Sequence, residues 1–151
     1  MRFMIIRKAD KTMEQGAGLP DKSLIGAVGR YYQEMRDAGI LRAGEWLQPS
    51  AASSRIVVNQ GKQTVVDGPF TELKELIAGF IVIDVPSKEE AIAWASRCPT
   101  LTGDCDVQVE IRQLIEASDF PPDYAEELTL HASKTMADDA EKLLRSQTTA
   151  F

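Results

Sequence analysis

The chain is poor in the residues that carry most enzymatic chemistry. It has a single histidine in 151 residues, His131, close to its end. That scarcity excludes a multi-histidine metal centre, and it leaves no partner for a Ser-His-Asp arrangement or a haem ligand in the body of the chain. Cysteine is nearly as rare. Cys98 and Cys105 flank P-T-L-T-G-D and could form a disulfide or redox pair. Their spacing matches neither C-x-x-C nor a zinc knuckle, so two free, partly buried thiols are the plainer reading. No metal and no cofactor are expected. Phosphate-cradling loops are missing too: neither G-x-x-x-x-G-K-[ST] nor G-x-G-x-x-G occurs, and the G-A-V-G from Gly26 to Gly29 sits inside a helical pattern.

Basic charge is also in deficit, with 17 Lys and Arg against 23 Asp and Glu and a formal net charge of -6. Nucleic acid and anionic membrane surfaces require the opposite balance, so neither is an expected partner. No apolar run approaches bilayer length, and the opening M-R-F-M-I-I-R-K is too short in its apolar part for a signal peptide. A cytoplasmic protein is expected.

What is present reads as alternating strands and helices. Phe3-Met4-Ile5-Ile6 is an apolar run with charges on both sides, the pattern of a strand covered on both faces. Residues 9–20 are small and polar and read as a long loop. Leu24, Ile25, Val28, Tyr31, Tyr32 and Met35 then recur at helical steps until Gly39 stops them. Gly26 and Gly29 weaken that helix by about 1 kcal/mol each relative to Ala, so a close packing surface is expected beside them. Residues 40–48 read as a short strand, and residues 55–59 and 62–66 as a hairpin turning at Gln60-Gly61. The bend Asp67-Gly68-Pro69 leads into a second strand apolar on both faces, Phe80 to Val85, interrupted by Asp84. Ser87 and Glu90 fit a capping box for a helix that Pro99 ends. Residues 106–114 alternate cleanly and read as a half-buried strand.

The order is βαββαβ with an inserted hairpin, an α+β ferredoxin-like pattern. Its two central strands are apolar on both faces, while two helices can cover only one. A second copy of the chain, sheet against sheet, is the economical cover for the other, so a homodimer is expected. The domain is expected to span residues 1–114. Residues 115–151 form an extension in which Phe120-Pro121-Pro122 is a linker and Asp123 with Glu126 caps a helix whose stripe includes Leu128, Met136 and Leu143.

With histidine chemistry gone, carboxylates remain. Glu45, Asp67, Glu72, Glu75 and Asp84 lie on or beside the expected sheet and its bend, with Lys74 and Arg112 to offset their charge. A carboxylate moved out of water acquires a raised pKa and can act as a general acid or base. Asp67 is the catalytic candidate, helped by Glu45, Glu75 or Lys74. The plain alternative is a set of solvated turn residues, as expected in any acidic protein.

The stretch V-D-G-P-F-T-E-L-K-E-L-I-A-G-F, followed by I-V-I-D-V-P and E-E-A-I-A-W-A-S-R-C-P, resembles the DGPF branch of the YCII-related family. The segment G-E-W-L-Q-P and the strand V-Q-V-E-I-R resemble it as well, so the likeness covers Met1 to about Leu114. The resemblance implies a dimeric α+β barrel of ferredoxin-like subunits and says much less about activity. The function expected here is a small-molecule site between the sheets of the homodimer, for ligand binding or for cofactor-free acid-base chemistry by Asp67. By motif position the resemblance points to Asp67, Gly68, Pro69 and Phe70, with Glu75 and Gly79 as further matching positions. The smaller YCII branch is suggested to use a His-Asp pair, for which this chain has no core histidine. DGPF members also occur beside extracytoplasmic-function sigma factors, which implies an alternative role as a non-enzymatic accessory or regulatory protein.

Overall fold

In a computed structural model of the chain, the structure describes residues 1–15, 22–101, 107–124, 127–128 and 141. The chain divides into two compact units: Phe3–Gln113, and Met1–Arg2 together with the residues from Leu114 on.

The first unit holds a four-stranded antiparallel sheet in the order β2-β5-β1-β6 and a separate two-stranded ribbon, β3-β4. The strands are β1 (Arg2–Lys8), β2 (Leu41–Trp46), β3 (Ser54–Asn59), β4 (Lys62–Asp67), β5 (Ile77–Asp84) and β6 (Val109–Gln113), and the helices are α1 (Lys11–Gln15), α2 (Lys22–Asp37) and α3 (Lys88–Ser96). This is the expected α+β ferredoxin-like arrangement with its inserted hairpin. The two most apolar strands, β1 and β5, occupy the middle of the sheet.

Each element follows from local chemistry. Gly39 closes α2 with φ of 72°. The Ile40 N–H donates to Met35 O at 3.1 Å and the Gly39 N–H to Arg36 O at 2.9 Å, the paired bonds of a Schellman end. Ser87 opens α3 by accepting the Glu90 N–H at 3.2 Å. Gln60 and Gly61, both at positive φ, make the tight turn between β3 and β4, whose twist suits a two-residue hairpin.

Three expectations need correction. Residues 9–20 are not one loop: α1 forms at Lys11–Gln15 because the Asp10 carboxylate accepts the Met13 N–H at 2.9 Å, a capping bond available only once the chain has turned. Strand β5 begins at Ile77, not Phe80, since Gly79 allows β2 to approach. A Cβ there would stand 2.7 Å from Glu45 O. Among the described residues, no close packing surface offsets the glycines of α2 either. A Cβ on Gly29 would meet nothing within 4 Å, and one on Gly26 would touch only the end of Arg30.

Side chains of Phe3 and Ile5 from β1 and of Ile81 and Ile83 from β5 face the helices and join Tyr31 and Met35 in one core. The opposite face carries Met4, Ile6, Ala78, Phe80 and Val82. Ile6, Ala78 and Val82 are already buried within the chain, and Met4 and Phe80 are half-buried.

In the second unit, Arg2 grips Glu116 through Nε and Nη2, at 3.0 and 2.7 Å from Oε2. Short 3-10 turns follow at Ala117–Asp119 and Pro122–Tyr124, where Phe120 and Tyr124 stack with ring centroids 6.3 Å apart. The expected helix beyond Asp123, His131 and Cys105 lie outside the described residues, apart from Glu127, Leu128 and Glu141.

Candidate functional site

The structure separates the sequence candidates into two places. The first is the bend after β4. Gly68 lies against the Ser50 backbone so closely that a Cβ would overlap the Ser50 carbonyl oxygen, and its N–H donates to Ser53 O at 2.8 Å. The Gly68-Pro69 peptide bond is cis. Ser50 is buried and ties the bend together: its Oγ accepts the Phe70 N–H at 3.0 Å and donates to Glu14 Oε2 at 2.6 Å. The Arg55 guanidinium sits 4.0 Å above the Phe70 ring and 3.8 Å from the Glu75 carboxylate. Gly68, Phe70 and Glu75 are thus gathered, by Ser50 and Arg55. Asp67 is exposed at the end of β4 and accepts the Ser54 hydroxyl at 2.6 Å. Pro69 and Glu72 are exposed, and Lys74 lies apart, on a recess shared with Lys8 and Lys11.

The second place is a cleft between α2 and the helix-facing side of the sheet. Val28, Tyr31 and Tyr32 form one wall, and Ile5, Trp46 and Ile81 form the other. It has about 40 Å³ of interior space, or about 430 Å³ of void when its open mouth is included. Glu45 and Gly79 border this cleft; Asp67 does not. The two tyrosines differ in a way that matters. Tyr31 donates its hydroxyl to Trp94 O at 2.7 Å, and burial first, then nearby Cys98, raises its pKa. The Tyr32 hydroxyl has no hydrogen bond among the described residues. Burial, then Cys98 and Glu45, push it up to about 12, so it remains a proton donor throughout the physiological range.

Arg7 also lines the cleft. Its Nη2 donates to Asp10 Oδ2 at 2.6 Å, but its Nε is buried without any partner. Sequence reasoning passed over Arg7, Tyr32 and Cys98 as site residues. The available signal was strand alternation: Arg7 has the same parity as Phe3 and Ile5 and therefore points inward, where a guanidinium is costly. Asp84 is paired instead with Arg42 at 3.0 Å, and that hydrogen bond is the main reason its carboxyl is held below the usual range. Among the described residues, no three His, Cys, Asp or Glu side chains gather as metal ligands, and no helix is long and apolar enough to cross a membrane.

Residues 1–115 match the YCII-related domain, and the chain belongs to that family. An uncharacterised protein of Rhizobium meliloti (strain 1021) is 39% identical over 71 residues, 47% of this chain and 55% of that protein. The match thus spans little more than half of the relative's length. Among solved structures, 5-chloro-2-hydroxyhydroquinone dehydrochlorinase (TftG) from Burkholderia phenoliruptrix AC1100, in complex with 2,5-dihydroxybenzoquinone, superposes with a TM-score of 0.46 at 16% identity, covering 80% of this chain and 100% of that one.

Proposed function

We propose that this protein binds a small, largely apolar molecule in the cleft between α2 and the sheet, where Tyr32 can serve as a proton donor without a cofactor. The observation that carries this reading is the apolar recess walled by Val28, Tyr31, Tyr32, Trp46 and Ile81, in which burial keeps Tyr32 protonated. An apolar recess with a few polar groups on its wall is the usual form of a small-molecule site, and a hydroxyl held protonated there can donate to a ligand. The cleft lies on the helix side of the sheet, so it does not require two sheets to close around it. In this reading Gly68, Pro69 and Phe70 shape the bend that marks the DGPF branch, in which we place the chain. Asp67 has a catalytic place only if the hairpin carries it to a second copy.

That second copy is part of the proposal. Ile56 and Val58 of β3 and Val65 of β4 share one face of the ribbon, at 68%, 60% and 64% exposure. An isolated two-stranded ribbon is at best marginally stable in water, and burying each such side chain stabilises by about 1.5–3 kcal/mol. A homodimer joined through this face would supply the cover, and the half-buried Met4 and Phe80 allow the sheet-to-sheet barrel as a further contact. The buried free thiol of Cys98 fits the cytoplasmic location that we assign. A second reading, an accessory protein for an extracytoplasmic-function sigma factor, rests on the same ribbon, which would then receive a different protein.

The test of the cleft is a ligand-observed NMR screen of uncharged fragments, repeated with Val28→Phe to fill the recess. Binders that disappear in the folded variant support the cleft. Binders that survive unchanged, or a screen with none, overturn it.

A further inference from the structure

Beside the cleft, at the edge of the sheet, a groove runs between α2 and β2. Ile25, Val28, Gly29, Tyr32 and Arg36 line its helix side, at three- and four-residue steps that put them on one face of α2. Gly44 and Trp46 line its strand side, and β2 is the outermost strand of its sheet. The turn at Gly39 returns the chain alongside α2. Tyr32 meets Gly44, where a Cβ would stand 2.4 Å from the phenol oxygen, so Arg36 lies on the side of the turn and Val28 and Trp46 on the other. From Val28 to Arg36 the helix rises about 12 Å, and the groove holds about 310 Å³ of open space, enough for a small molecule. Three of its features have no account in the chain's own packing. Ile25 and Trp46 are left 52% and 39% exposed. Gly29 stands inside the helix, where glycine is unfavourable, yet nothing lies within 4 Å of its missing Cβ; glycine there lets another molecule approach the backbone closely. Arg36 donates through Nε and Nη2 to Gln33 Oε1 at 3.3 and 3.1 Å, an uncharged acceptor, and has no ion pair among the described residues.

We infer that this groove binds an amphiphilic monocarboxylate, its apolar body lying on Ile25, Val28 and Trp46 across Gly29 and its carboxylate meeting Arg36. The groove goes beyond the cleft, although Val28, Tyr32 and Trp46 border both, and neither reading depends on the other. Charge fixes the direction of the ligand. Among the described residues, Arg36 is the ionised side chain lining the groove. Glu45 adjoins Trp46 at the other end and repels an acid group there, while Tyr32, held protonated mainly by burial, adds no charge. A guanidinium receives a carboxylate through paired hydrogen bonds. At an exposed position such a pair contributes modestly, so the apolar body supplies most of the affinity and Arg36 the selectivity.

The test titrates octanoate, octanol and octylammonium into the full chain by calorimetry, each below the concentration at which it forms micelles. Octanoate should bind saturably and at least tenfold more tightly than octylammonium. Arg36→Gln should weaken octanoate about threefold, the scale of an exposed ion pair, and leave octanol unchanged. Gly29→Leu fills the open space with a better helix former, so it should weaken octanoate and octanol about tenfold or more without lowering the melting temperature. The inference is wrong if octanoate does not bind, if octylammonium binds as tightly, or if octanoate binds undiminished to Gly29→Leu or to Arg36→Gln. It is equally wrong if octanoate fails to bind and Gly29→Leu splits a dimer in light scattering, which would assign the groove to a second copy of the chain. Gly29 and Arg36 do not line the cleft, so these outcomes leave the cleft reading to its own fragment screen.

Discussion

The carbonyl oxygen of Ser50 occupies the space that a Cβ on Gly68 would need. The bend is therefore built by backbone contact, and glycine is required for its size. Gly68→Ala should destabilise the protein by about 1–3 kcal/mol, the usual cost of forcing atoms into a filled space. Denaturant unfolding measures it, and a loss near zero would show that the Ser50 turn can shift freely.

The hydroxyl of Ser50 is the second fastener of that bend. Ser50→Ala removes the acceptor of the Phe70 N–H and the donor to Glu14, and should cost about 1–3 kcal/mol. Asp67→Asn, at an exposed position bonded to Ser54, should change stability by less than about 0.5 kcal/mol. Comparing the two separates a residue that holds the fold from one that is free to serve another purpose. If Asp67→Asn unfolds the chain, Asp67 is a turn-former.

Helix α2 offers a test in the opposite direction. Gly29 is a helical residue with open space around its missing Cβ. Gly29→Ala should stabilise the protein by about 1 kcal/mol, the propensity difference between the two residues. Destabilisation in the purified protein would mean that this surface is occupied in the assembly.

Two carboxyls make stability depend on pH. Arg2 holds Glu116 below its ordinary 4.5, mainly through their side-chain hydrogen bond. Burial works against the charged form of Asp10, but the Met13 N–H and Arg7 outweigh it and hold Asp10 below 3.8. Folded values below unfolded ones mean that this stabilisation is present above the unfolded pKa values and lost as pH falls through the folded ones. Urea midpoints should therefore fall steeply below about pH 4.5, and Glu116→Gln should flatten part of that slope. Equal slopes in the two proteins would contradict the Arg2 to Glu116 link.

The ribbon predicts the assembly. Val58→Lys, on the exposed face of β3, should convert a dimer to a monomer in light scattering while leaving the melting of the sheet unit nearly unchanged. A wild-type chain that is already monomeric at micromolar concentration would remove the homodimer and leave the ribbon to a different protein.

Much of the fold was legible because its signals are local. Strand β1 is a continuous apolar run, Gln60-Gly61 makes a turn that few other pairs can, and Gly39 ends α2 where the helical pattern stops. Helix α1 was not legible, since five polar residues have no apolar period and depend on one capping bond from Asp10. The cleft was hidden for a different reason. Arg7, Tyr32 and Glu45 are far apart in sequence, and Arg7 reads there as a charge closing an apolar strand. Only the alternation of β1 shows that it turns inward. The motif around Asp67 drew attention by its turn chemistry, and the contacts of Gly68 and Phe70 account for that chemistry as structure.

The most direct test of the cleft uses the two tryptophans. Trp46 lines the cleft, whereas Trp94 packs on Tyr31 and Arg97, with its ring 6.3 Å and 4.5 Å from them. With 5-fluorotryptophan incorporated, cyclopentanone should move the ¹⁹F signal of Trp46 saturably and leave that of Trp94 in place. A titration in which Trp46 stays fixed, or in which Trp94 alone responds, would contradict a ligand site between α2 and the sheet.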